Sequence, residues 1–191
     1  MRVISGAARG TRLVELGDVE IRPTLDRVKE SFFNLIGQGL EGKAFLDLFA
    51  GTGSMGIEAL SRGAEKVFFV EKNLEAQALI TRNLEKCRMA DQITRWQLLK
   101  QGALQALPVI EEQGPRFDFI YVDPPFADDL YQPTLISLEG ILKNDGWVIV
   151  EHFHKTKLQE SYGRLNAFKD RRLGDSCLSF FQMELGTILK K

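Results

Sequence analysis

Apolar residues change their spacing repeatedly along the chain, and each change marks an element. Residues 1–16 read as a short hairpin, with Gly6 and Gly10 in its turn region. Pro23-Thr24 opens a helix. Thr24 is a candidate N-cap, Leu25, Val28, Phe32, Leu35 and Ile36 recur at helical spacing, and Gly37 can end it. Strands and helices then alternate. Ala44–Phe49 reads as a buried strand, Ser54–Arg62 as a helix closed by Gly63, and Lys66–Glu71 as a strand. Asn73 caps a helix to about Met89; Ile93–Leu99 is a strand, Ala103–Glu112 a helix and Phe117–Val122 a strand. Asp123-Pro124-Pro125-Phe126 cannot continue a ladder, because proline lacks the donor. A helix is predicted over about Tyr131–Leu142, then the turn Asn144-Asp145-Gly146 and the strand Trp147–Glu151. Two more strand-like runs lie between about Leu165 and Leu185.

The alternation predicts an α/β fold with a mostly parallel sheet and a terminal antiparallel hairpin. Ligands in such sheets bind beyond the carboxyl ends of the strands, near the switch point in strand order. Asp47, Glu71 and Asp123 each end a predicted strand, so all three belong on that edge.

Composition removes other classes. The chain has 191 residues, 44% hydrophobic and 27% charged, with 17 glycines. That excludes collagen-like, coiled-coil and disordered chains. No apolar run approaches a membrane span, and the first residues lack the apolar stretch of a signal peptide. Cys87 and Cys177 alone make neither a disulfide framework nor a zinc site. The expectation is a cytoplasmic protein with reduced thiols, no metal and no membrane partner. A net charge of −1 argues at first against a nucleic-acid partner. The distribution alters this. Residues 1–40 balance at +1, residues 41–154 at −6 and residues 155–191 at +4. Arg2, Arg9 and Arg12 meet no acid within the first twelve residues.

The segment Asp47-Leu48-Phe49-Ala50-Gly51-Thr52-Gly53-Ser54-Met55-Gly56 contains G-x-G-x-x-G, a text that fits NAD, FAD or S-adenosylmethionine. Dinucleotide sites aim helix N-terminal amides at a pyrophosphate. Asp47 just before the loop would repel that group but suits a cationic sulfonium with an amino group. Glu71, twenty residues after Gly51, can accept ribose hydroxyls in either class. The pair tips the choice towards S-adenosylmethionine.

Asp123-Pro124-Pro125-Phe126 carries the second chemical signal. An exocyclic base amine is a poor nucleophile, because its lone pair is delocalised into the ring. The Asp123 carboxylate and the Pro124 carbonyl can accept its two hydrogens and turn the lone pair outward. Pro124 and Pro125 rigidify that carbonyl, and Phe126 can stack on the base, worth about 1–3 kcal/mol. Catalysis of this kind is orientation plus electrostatics. His152 and His154 lack the company of a metal site and read as surface residues, and Cys87 reads as packing. Neither a nucleophile elbow nor a Walker loop is present.

Arg22-Pro23-Thr24-Leu25-Asp26-Arg27-Val28-Lys29-Glu30-Ser31-Phe32-Phe33-Asn34 resembles the signature of the RsmD family, bacterial 16S ribosomal RNA guanine-N2 methyltransferases. The resemblance runs from Arg2-Val3-Ile4-Ser5-Gly6 through Glu58–Ala64 and Val70-Glu71-Lys72 to Gly174-Asp175-Ser176. It implies a class I S-adenosylmethionine-dependent methyltransferase, Rossmann-like, with a seven-stranded sheet. A catalytic domain over 41–191 would follow a hairpin and helix extension over 1–40. Cofactor binding would fall to Asp47, Phe49, Ala50, Gly51, Gly53, Glu71, Lys72, Gly102, Ala103 and Thr24. The flipped guanine would sit on Asp123, Pro124, Pro125 and Phe126. Arg22, Arg27, Arg2, Arg9 and Arg12 would face 16S rRNA, within an assembled or assembling small subunit. Relatives usually carry Asp or Asn where this chain has Gly102, a side chain that helps to read the adenine amine; Gln101 or a backbone carbonyl is the expected substitute. DNA adenine-N6 methylation, protein glutamine-N5 methylation and a non-catalytic rRNA- or cofactor-binding module stand as alternatives.

Overall fold

A computed structural model describes residues 1–15, 26–125 and 130–184. Helices are α1 (Asp26–Ile36), α2 (Ser54–Ser61), α3 (Leu74–Lys86), α4 (Ala103–Gln113) and α5 (Tyr131–Ile136). Strands are β1 (Ala44–Asp47), β2 (Lys66–Val70), β3 (Trp96–Leu99), β4 (Phe117–Val122), β5 (Leu142–Phe153), β6 (Ser161–Tyr162), β7 (Leu165–Leu173) and β8 (Ser176–Met183). They form one sheet in the order β3-β2-β1-β4-β5-β8-β7-β6. The first five are parallel, and β8, β7 and β6 are antiparallel. The chain leaves β1 towards β2 and β3, then crosses to β4 on β1's other side. The switch point therefore lies between β1 and β4.

Each sheet face carries its own core. One buries Val28, Phe32 and Phe33 of α1 against Phe45, Tyr121, Ile149 and Phe180, together with Val3, Ala8 and Leu13 of the N-terminal segment. The other packs Ala106, Leu107 and Ile110 of α4 against Leu46, Ile120, Val148 and Phe181. Rings meet edge-on at Phe32–Tyr121, with centroids 5.3 Å apart. No helix of the described residues is long and apolar enough to cross a membrane.

Three elements differ from the sequence expectation. The helix from Tyr131 stops at Ile136, and after a 3₁₀ turn at Glu139–Ile141 the chain is already in β5 at Leu142. Asn144-Asp145-Gly146 is a bulge inside that strand. Pairing jumps from Phe117↔Leu142 to Phe119↔Trp147, and Lys143 Nζ donates to the Asp118 carboxylate at 2.7 Å. β3 starts at Trp96, because Ile93 is 72% exposed and has no core to join. An eighth, two-residue strand, β6, edges the seven expected. The N-terminal hairpin is held by Val3 N to Thr11 O and Gly10 N to Val3 O, with one antiparallel bridge between Arg2 and Arg12.

Candidate active site

β1 delivers Asp47 to the start of the glycine loop. The loop turns through left-handed backbone at Gly51 and Gly53, and α2 begins at Ser54. At Gly56 a side chain would overlap the Phe69 ring, so the glycine lets α2 lie close on β2. Asp47 is 1% exposed, and its Oδ2 accepts the Gly56 amide at 2.9 Å. Burial pushes its carboxyl up to about 7 against the pull of that amide, and the charge of Glu71 adds to the rise. Glu71, just past β2, accepts Gly51 N and Asn73 N, each at 2.7 Å. Asn73 in turn caps α3 through Glu75 N and Ala76 N. Phe49 is half-buried, Ala50 and Ala103 are buried, and Lys72 is exposed. Ala50 N donates to Val70 O, pinning the loop to the next strand.

Gly102 is the N-cap of α4 and offers no side-chain cap. Gln101 Nε2 turns away to the Gln105 carbonyl. The side chain in the vacant space is that of Gln105, whose Oε1 a Cβ at Gly102 would overlap. The pattern of the sequence does not reveal this, because Gln105 sits a helical turn later.

Asp123 follows β4, half-buried, with Pro124 buried and Pro125 exposed. Asp47 is in register with Tyr121 on the neighbouring strand, so Asp123 lies two residues further along, across one strand spacing of about 4.8 Å. Beneath it the buried Tyr121 hydroxyl donates to Glu151 Oε2. The Tyr131 hydroxyl is buried with no hydrogen-bond partner among the described residues. Burial, then the nearby charges of Asp123 and Glu151, push that hydroxyl up. Sequence reasoning missed this trio. Strand alternation from Asp123 back to Tyr121 was the available signal.

Phe126, Thr24 and Arg22 lie outside the described residues. Among the other arginines, Arg2 and Arg27 are brought to the start of α1, where Arg2 N donates to Asp26 Oδ1 at 3.3 Å. Arg27 Nη2 reaches the carbonyl of Leu173 at 3.2 Å. Arg12 bridges Arg2, and Arg9 is exposed in the hairpin turn. His152 is 4% exposed, not a surface residue, because β8 pairs along β5 and supplies Ser179 Oγ at 2.8 Å from its Nε2. No group of three or more metal-ligating side chains occurs among the described residues.

A glycine loop after β1, acids ending β1 and β2, and a carboxylate after β4 at the switch point define a class I S-adenosylmethionine-dependent methyltransferase. Within that class, the chain belongs to the family described as "Conserved hypothetical protein 95", whose model matches residues 1–182. Similar chains include YlbH of Bacillus subtilis, provisionally named an rRNA methyltransferase: 38% identical, with 86% of this chain and 89% of that one covered. Ribosomal RNA small subunit methyltransferase D of Haemophilus influenzae is 35% identical, covering 79% and 78%. Among solved structures, the Escherichia coli protein yhhF, provisionally titled a methyltransferase, is 25% identical with a TM-score of 0.81, covering 97% and 98%.

Proposed function

We propose that this chain transfers a methyl group from S-adenosylmethionine to the exocyclic N2 of a guanine in 16S rRNA. The substrate would be an assembled or assembling small ribosomal subunit in the cytoplasm. The observation that carries the reading is Asp123-Pro124 at the end of β4, beside the strand that opens the glycine loop. Relatives named for ribosomal RNA methylation support the substrate class.

The residues present fit a cationic nucleoside. Asp47 and Glu71 flank the loop with like charges, and the charge of Glu71 adds to the cost of ionising Asp47. A cation between them relieves that repulsion. Glu71 holds two backbone amides and keeps lone pairs for ribose hydroxyls. When bound, the cofactor supplies an electrophilic methyl group on a sulfonium. The chain's own residues orient the amine. Asp123 and the Pro124 carbonyl accept its two N–H bonds, which localises the lone pair on nitrogen. Pro124 and Pro125 fix the carbonyl, and Phe126 holds the flipped base by its face. Asp123 or water then receives the proton released by the methylated amine.

The test uses purified protein, labelled S-adenosylmethionine and small-subunit particles lacking the modification. Label should enter 16S rRNA at a guanine N2. Asp123→Ala should lower transfer at least about a hundredfold while cofactor binding persists. Label entering only DNA or protein would overturn the reading.

A further inference from the structure

We infer that the outer strand β7 is a phosphate-binding rail for the RNA flanking the target base, with Lys169 and Arg171 as its contacts. The inference rests on the rRNA reading above and extends it to a surface which that reading leaves unassigned.

Strand register sets the geometry. Val122, Val150, Ser179 and Asp170 form one row across β4, β5, β8 and β7. The next row starts at Asp123 and continues through Glu151, Leu178 and Arg171. Arg171 thus stands level with Asp123, three strand spacings away, about 14 Å. Side chains alternate across a strand. Leu178 and Phe180 belong to the core under α1, so Arg171 and Lys169 share that face. The Lys169 ammonium, 5.8 Å from the centre of the Phe180 ring, agrees. Asp170 points the other way, where Ser179 Oγ donates to its carboxylate at 2.6 Å. The only acid between the two cations is therefore removed to the opposite side.

α1 ends this face on the active-site side. Its Arg27 bridges to the β7–β8 turn through Leu173 O, and a side chain at Gly174 would crowd the guanidinium. Arg27, Arg171 and Lys169 consequently line one solvent-exposed path leading away from Asp123. None of the three is ion-paired with an acid among the described residues. A chain of net charge −1 thus keeps an unneutralised basic stripe beside its site. An extended RNA strand spans that distance in a few nucleotides, and its phosphates are the ligand such cations take.

A plainer use of these charges exists. Among the described residues β6 pairs only with Leu165 and Asn166, and no other described strand pairs with the outer side of β7; charges on an edge strand deter aggregation. That role accepts either sign, whereas a phosphate rail requires cations. The deciding variant is Lys169→Glu with Arg171→Glu, beside Lys169→Gln with Arg171→Gln, assayed on small-subunit particles at several salt concentrations. A rail predicts a KM raised at least tenfold in the Glu pair and less in the Gln pair. It also predicts kcat nearly kept, unchanged cofactor binding, and a salt slope for the Gln pair shallower by about 1.4, two single-strand contacts. If both pairs match the wild type in KM and salt slope, the rail is wrong and edge protection suffices. Wild-type protein that methylates no rRNA overturns the underlying reading, a result separate from either variant.

Discussion

Lys29 of α1 and Glu58 of α2 form a fully buried ion pair at 3.5 Å. Glu58 also accepts the amides of Ile4 and Ser5 and the Arg62 guanidinium, at 2.7, 2.9 and 2.8 Å. One carboxylate thus ties the N-terminal segment to the helix that follows the glycine loop. Burial pushes the Lys29 ammonium down, and Glu58 opposes the shift. Glu58→Ala leaves the buried Lys29 without its counter-ion, although its ammonium still donates to Arg2 O and Ser54 Oγ, and leaves two amides without their acceptor; it should cost about 3–5 kcal/mol. Lys29→Met should cost less, since Arg62 still pairs with Glu58. Urea unfolding checks the order, and amide exchange at Ile4 and Ser5 should accelerate in Glu58→Ala. Equal losses in both variants would contradict this division.

Gly6 makes the same junction from the other side. Ala7 N donates to Ser61 O at 2.8 Å, Ala8 N to Ser61 Oγ at 2.9 Å, and Ser61 Oγ donates to Ser5 O at 2.6 Å. Gly6 has φ +81°, and a Cβ there would overlap the Ser61 carbonyl. Gly10 has φ +85° with open space around it. Gly10→Ala should therefore cost only the conformational penalty, about 1–3 kcal/mol. Gly6→Ala should cost more and release the hairpin. Thermal unfolding of the two variants side by side isolates the docking contribution; a smaller loss at Gly6 would contradict it.

These contacts mark where sequence reading stopped. Alternating apolar runs and their glycine and asparagine stops were enough for the sheet, the loop and Asp123, since each signal is local. Nothing local distinguishes Lys29 from a solvated helix lysine, because its partner is 29 residues away in another helix. Gln105 filling the space at Gly102, and Arg27 reaching Leu173, are likewise set by packing between distant segments. Asn144-Asp145-Gly146 has the chemistry of a turn and is used as a bulge, because the strand resumes its pairing with Phe119.

Asp47 should make cofactor binding depend on pH. Its carboxyl is near 7 in the folded chain and about 3.9 when unfolded. Between about pH 4 and 7 the native state holds a proton that the unfolded state has lost, so this group lowers stability as pH rises through that window. A bound cation favours the ionised form. Cofactor affinity should then rise with pH to a plateau above about 7, with proton uptake by buffer on binding below it. Calorimetry in buffers of different ionisation enthalpy reads the proton directly. Asp47→Asn should abolish both dependences; an unchanged slope in that variant would assign them elsewhere.

Gly102→Asp should repair the α4 N-cap and strengthen adenine recognition together. The backbone at Gly102, φ −70° and ψ 158°, is ordinary for any residue and typical of an N-cap. The one obstacle is Gln105 Oε1, the end of an exposed, flexible side chain, which can swing away. The cap should add a few tenths of a kcal/mol of stability over glycine. An acceptor for the adenine amine, at about 1 kcal/mol, should tighten S-adenosylmethionine roughly fivefold. An analogue with hydrogen in place of that amine should gain nothing, because a carboxylate meets no donor there. Titration of both ligands against wild type and variant decides. Equal tightening of the two would mean that the new charge acts on the cation and not on the base.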